Sequence, residues 1–225
     1  MFRIVGQILV KNGHAVQCDN FSDIYSLGEF KNAVKSLEAL EPDEINIMDL
    51  DGNISLTLKD NLPVLKSLRI PISVGGGVDL GEIHSYPVER YLINSLLFES
   101  DVSHRLDDFK QGRQSLIGYL PFKEVRGGFL YFNSTKGVFL EVGHRLLSKI
   151  FNICSEVIFL DTDHQGNLGR FNSRFPNSIP REYLMRSYLS GGICPDNLSL
   201  FRRLGCAGVV LDNSSLYWQQ KIYKR

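Results

Sequence analysis

Two glycine clusters stand directly behind apolar runs: Gly75-Gly76-Gly77 after "IPISV" and Gly191-Gly192 after "MRSYLS". Glycine lets backbone N–H groups approach an anion without a Cβ in the way, most usefully where a helix begins. Asn94-Ser95 after "RYLI", Gly166 after "FLDTDHQ" and Asn213-Ser214 after "GVVLD" hold equivalent strand-end positions. Gly76, Gly77, Asn94 and Ser95 therefore make one expected phosphate group. Gly191, Gly192, Asn213 and Ser214 make an opposed one, with Gly166 on the strand between, so the expected ligand carries a phosphate at each end. The plainer role of such glycines is a tight turn. Ionisable groups collect at the same places: Lys11, Asp49, Asp51, Asp161, Asp163 and His164. Carboxylates and an amine there can act as general acid and base, and Asp49, Asp161 and Lys11 are the candidates. Asp49 leads, because "EINIMD" makes it the last strand residue, where inward projection is expected. Capping of the next turn is the ordinary duty of a strand-end Asp, and His164 on a polar loop reads more simply as solvated.

The elements that must position these groups follow from short β-rich runs at 3–10, 44–50, 70–76, 90–95, 115–120, 156–161, 185–192 and 208–214. Between most of them lie stretches with helical spacing, such as "LGEFKNAVKSLEALEP", "VGHRLLSKIFNI" and "CPDNLSLFRRLG". Near-continuous apolar strands alternating with helices predict a parallel sheet covered by helices. Eight such units in 225 residues without a Pro/Ser-rich linker predict one domain, residues 1–225, folded as an α/β protein of the (β/α)8 TIM-barrel class. A doubly wound open sheet is the alternative. The stretch "GYLPFKEVRGGFLYFNSTKG" departs from the pattern and predicts a β-hairpin inserted after the fifth strand. Residues 171–184, with two prolines, predict a short or irregular sixth helix.

Composition removes whole classes of partner. With 25 basic and 25 acidic residues there is no net field to recruit nucleic acid or an anionic membrane. No apolar run approaches a membrane span, and the first residues lack the pattern of a secretory peptide. Cys18, Cys154, Cys194 and Cys206 are scattered without ligand spacing, so free thiols in a reducing cytoplasm are expected, with no metal site and no cofactor.

Nearly the whole chain resembles the cyclase subunit of imidazole glycerol phosphate synthase and, more distantly, the ribotide isomerase of histidine biosynthesis. The likeness is carried by "RIVGQILVKNGHAVQCDNF", "DEINIMDLDG", "IPISVGGGV", "SEVIFLDTDHQG" and "YLSGGICPDNLSLFRRLGCAGVVLDNSSLY". The insert favours the cyclase; "DLDG" and "SSLY" lean to the isomerase. The resemblance implies a barrel of the ribulose-phosphate-binding type. It also implies a glutaminase partner on the N-terminal face, and ammonia passed through the barrel to a bisphosphorylated or nucleotide-linked substrate. The family's catalytic aspartates align with Leu9 and Leu120, which cannot move a proton, and Gln165 stands where an acidic residue is expected. Arg3, Glu44, Arg90 and Glu156, which at strand starts would ordinarily form a solvated rim, match the charges that gate the family's ammonia tunnel. The loop "ILVKNG" is similar to a branch serving amino- and amidino-sugar synthesis for bacterial surface polysaccharide (lipopolysaccharide). The alternatives are a ribotide isomerase-like enzyme and a catalytically silent phosphate-binding barrel that scaffolds the glutaminase.

Overall fold

The computed structural model describes residues 1–19, 23–79, 81, 85–99 and 114–212. The elements run β1 (Arg3–Lys11), β2 (His14–Asp19), β3 (Asp23–Glu29), α1 (Phe30–Glu38), β4 (Glu44–Asp49), α2 (Ile54–Asp60), α3 (Leu62–Ser67), β5 (Ile72–Gly75) and β6 (Arg90–Ile93). They continue with β7 (Ser115–Val125), β8 (Gly128–Asn133), β9 (Val138–Leu140), α4 (His144–Ile153), β10 (Glu156–Asp161), α5 (Arg181–Leu184), β11 (Ser187–Ser190), α6 (Leu198–Leu204) and β12 (Gly208–Leu211).

Eight of the strands close a parallel barrel in the order β1-β4-β5-β6-β7-β10-β11-β12, with β12 returning to β1 through the pairs Arg3↔Gly208 to Gly6↔Leu211. Because strand side chains alternate in direction, the barrel has two apolar layers. Val5, Leu9, Met48, Leu92, Ile117, Ile158, Tyr188 and Val210 fill the lumen. Their strand neighbours, including Ile8, Ile47, Leu120 and Phe159, face outward and pack with helix residues such as Val34, Leu37 and Ile150. Among the described residues no helix is long and apolar enough to cross a membrane.

Strands ending in glycine are shorter than the apolar runs predict. β5 stops at Gly75 and β11 at Ser190, because Gly76, Gly77, Gly191 and Gly192 take positive φ and leave the ladder. The expected hairpin is present: β8 runs antiparallel to the extended end of β7 across the Gly127-Gly128 turn, and β9 adds an antiparallel strand to β8. A second excursion was not expected: β2 folds back on β1 and pairs with β3. Its turn is Asn12-Gly13, both with positive φ (49° and 74°), the combination that a tight two-residue hairpin requires. The irregular sixth helix is a 3-10 turn at Phe175–Ser178 followed by the single turn of α5.

Candidate active site at the barrel mouth

A cavity of about 810 Å³ opens at the C-terminal ends of the strands, lined by residues from β1, β4, β6, β7 and the loops behind β5 and β10, with Phe132, Ser134 and Phe139 of the hairpin over one side. The barrel thus places a roofed pocket where α/β barrels do their chemistry. Of the expected phosphate residues, Gly76, Gly77, Asn94 and Ser95 are in its wall; Gly166, Gly191 and Gly192 are outside it. Asn213 and Ser214 lie outside the described residues.

The glycines have a steric reason apart from any ligand. A Cβ on Gly76 would press into the Asp49 carbonyl oxygen, one on Gly77 into the Gly52 carbonyl oxygen, and one on Gly191 into the Asp161 carbonyl oxygen. Asn94 does not offer its side chain to an anion. Its Nδ2 donates to the carbonyls of Tyr119 (2.7 Å) and Phe132 (3.0 Å), and its Oδ1 accepts from the Ser134 N–H (2.9 Å). Asn94 is a clamp that holds the hairpin over the cavity.

Strand alternation also corrects the expectation for Asp49. Glu44, Asn46 and Met48 of β4 face the lumen, so Asp49 shares the outward side with Ile45 and Ile47. Its Oδ1 accepts from the Asp51 N–H (2.8 Å), closing the turn behind the strand, and its Oδ2 accepts from the Thr57 hydroxyl on α2 (2.6 Å), tying the strand end to that helix. Asp161 follows the same parity on β10. Its Oδ2 lies 2.8 Å from His164 Nδ1 and accepts from the Asn172 N–H at 2.8 Å, so His164 is tied to a buried carboxylate rather than solvated freely. Burial raises the Asp161 carboxyl above the ordinary range, the contacts with Asn172 and His164 opposing it. Lys11 ends β1 beside the Asn12-Gly13 turn and is not part of the cavity wall.

Of the two leucines aligned with the family's aspartates, Leu9 lines the cavity but Leu120 does not. Leu120 belongs to the outer layer, and the inward positions of β7 at this height are Tyr119 and Pro121. Leu120 therefore does not face the mouth, and neither inward position at this height carries a carboxylate. The ionisable residues in the wall are Asp49, whose carboxylate is already bonded to Asp51 and Thr57, with Lys123 and Asp163. Lys123 has its ammonium 4.4 Å from the Phe139 ring centroid, and Asp163 Oδ2 accepts from the Glu124 N–H (3.2 Å). Sequence reading passed over Lys123. Counting alternate positions from Ile117 through Tyr119 and Pro121 would have found it.

At the opposite end of the lumen the four strand-start charges meet. Arg3 donates twice to Glu156 (2.6 and 2.7 Å), and Arg90 pairs with both Glu44 and Glu156. Glu44 is 2% exposed and Arg90 9%, so a solvated rim is not what these residues form. Burial would lower the Arg90 pKa, but the facing Glu44 and Glu156 outweigh it and the net shift is upward. Tyr188 stands against the ring, its hydroxyl donating to Glu156 (3.2 Å) and its ring 5.1 and 5.7 Å from the Arg3 and Arg90 guanidinium carbons. Toward the mouth comes a neutral polar belt: Tyr119 hydrogen-bonds Gln7, Gln7 Nε2 donates to Asn46 (2.8 Å), and Asn46 Nδ2 donates to the Ser73 hydroxyl (3.0 Å). Among the described residues no group of three His, Cys, Asp or Glu is arranged to hold a metal ion.

A family model described as histidine biosynthesis protein matches residues 3–220. A Leptospira interrogans protein provisionally named imidazole glycerol phosphate synthase subunit HisF is 24% identical over 235 residues, covering 99% of this chain and 92% of its own. Its counterpart from Leptospira borgpetersenii is 25% identical over 232 residues, 96% and 90% of the two chains. A Pseudomonas aeruginosa protein provisionally named imidazole glycerol phosphate synthase subunit hisF2 is 26% identical over 195 residues, 83% and 71% of the two chains.

Proposed function

The chain belongs to the histidine biosynthesis protein family, and from that membership we propose a cyclase-like synthase subunit that takes ammonia from a glutaminase seated on the N-terminal barrel face. Ammonia enters past Arg3, Glu44, Arg90 and Glu156, crosses the lumen along Gln7, Asn46 and Ser73, and meets a bisphosphorylated or nucleotide-linked substrate in the upper cavity. The observation that carries this reading is the charge quartet on the barrel axis below that cavity, with Glu44 and Arg90 buried and Arg3 and Glu156 partly exposed beneath them. Buried ion pairs are weak devices for stability, and a set of four is better accounted for as a gate that can exchange partners. Backbone N–H groups around Gly76, Gly77 and Ser95 receive one phosphate, with the Lys123 ammonium supplying charge. Proton transfer falls to Lys123 and Asp163, because both oxygens of the Asp49 carboxylate already accept from Asp51 and Thr57 and Asp161 is not part of the cavity wall. The acceptor is the histidine-pathway ribulosyl-formimino nucleotide or an amino- or amidino-sugar precursor of surface polysaccharide.

A second reading has its own support. Neither Leu9 nor the inward residues of β7 carries a carboxylate, as a silent scaffold for the glutaminase would allow.

The test is turnover of the histidine-pathway cyclase substrate by the purified protein, first with excess ammonium and then with the glutaminase and glutamine. The expected outcome is product from both nitrogen sources, with the Arg3→Ala/Glu156→Ala variant keeping ammonium-driven turnover and losing the glutamine-driven reaction. Equal glutamine coupling in that variant would remove the gate. Absence of ammonia-dependent turnover with this substrate and with sugar acceptors would favour the silent scaffold.

A further inference from the structure

Most polar side chains in the cavity wall are committed to the protein itself. Asn94 clamps the hairpin, the Asp49 carboxylate accepts from the Asp51 N–H and the Thr57 hydroxyl, and the Thr162 hydroxyl donates to the Phe122 carbonyl at 2.8 Å. Gln165 differs. It is 3% exposed and lines the cavity, and among the described residues its carboxamide oxygen is the only buried side-chain nitrogen or oxygen without a hydrogen-bond partner. Buried acceptors are nearly always paired, because leaving one unpaired forfeits its hydration with nothing in return. An apolar residue would fit the same wall, which already contains Leu9, Leu50, Leu92 and Phe132. The loop also holds Gln165 in place: the Asn167 N–H donates to the His164 carbonyl (3.0 Å) around it, and Gly166 takes a positive φ of 82°.

We propose that Gln165 is a specificity-determining binding residue whose carboxamide oxygen accepts a hydrogen bond from a hydroxyl or N–H group of the phosphorylated ligand. This rests on the phosphorylated-substrate reading above. A carboxamide oxygen is a neutral acceptor, so it selects for a donor rather than for charge. A phosphate dianion has no proton to offer it, whereas a hydroxylated chain between two phosphates has. A site with a buried polar group rejects a ligand that leaves the group unpaired, and this discriminates better than an apolar wall can. Gln165 therefore reads the middle of the ligand, while the backbone around Gly76 and Gly77 reads its end.

The test is titration calorimetry with two probes, ribulose 1,5-bisphosphate and the hydroxyl-free pentane-1,5-diol bisphosphate, against the unaltered protein, Gln165→Met and Gln165→Leu. The unaltered protein is expected to prefer the hydroxylated probe. Both variants are expected to lose about tenfold to a hundredfold in affinity for it, to keep their affinity for the hydroxyl-free probe, and to melt at the same temperature as the parent or higher. Equal losses for both probes, or a lowered melting temperature with unchanged preference, would assign Gln165 a structural role and overturn the proposal. Unchanged binding of both probes would overturn it alone, leaving the phosphate reading intact. If the unaltered protein binds neither probe, the phosphate reading fails first and the role of Gln165 goes with it.

Discussion

A methyl group at position 76 would press into the Asp49 carbonyl, and φ at that residue is +94°. Both facts set the same expectation: Gly76→Ala destabilises the fold by more than about 2 kcal/mol, through strain in a left-handed backbone and displacement of the strand-end carbonyl. Urea unfolding of the variant checks this; a loss below about 0.5 kcal/mol would mean that the β4 and β5 ends part without cost. Gly127, with φ of 99° but open space around its Cβ position, is the comparison that separates strain from crowding. What sequence reading got from these glycines was their place, not their reason. The residue type marks a close approach, but whether the neighbour is a backbone carbonyl or a ligand is a matter of three-dimensional contact that one chain does not print. Asp49 teaches the same lesson in direction: being last on a strand said nothing of its side, whereas parity with Ile45 and Ile47 did.

At the level of elements, the eight barrel strands were legible because each is apolar on both faces, and that signal needs no partner information. The β2–β3 excursion was not, although Asn12-Gly13 between two alternating runs is a hairpin signal in its own right; its polar composition reads equally as loop. The β7–β8 hairpin was legible from its Gly-Gly turn, but its fastening was not. Asn94, on a different barrel strand, makes three hydrogen bonds to it and to β7. Asn94→Ala is expected to cost about 2 to 3 kcal/mol by removing them, and to speed amide exchange in β8 while the central positions of β4 and β10 stay protected. Uniform exchange throughout would show that the clamp supports the barrel rather than the roof.

For the whole molecule, the floor charges join strands far apart in sequence: Arg3 to Glu156, and Arg90 to both Glu44 and Glu156. Removing one member strands a buried charge. Glu44→Met or Arg90→Met alone is expected to cost about 3 to 5 kcal/mol, and the paired Glu44→Met/Arg90→Met substitution less than the sum, as a double-mutant cycle by chemical denaturation would read. Additive losses would mean that water reaches the floor and the charges act singly. The four residue types and their strand-start positions were visible in the sequence, but the burial of Glu44 and Arg90 was not, since only barrel closure turns four starts into one ring. That closure has a consequence for synthesis. The first residues of β1 take one of their two neighbours from β12, whose pairing runs from Gly208 to Leu211, about 200 residues later. At roughly 5 to 20 residues per second, the nascent chain carries an unpaired edge beside Ile4 and Val5 for about 10 to 40 s, and for that interval the polypeptide depends on whatever shields it at the ribosome.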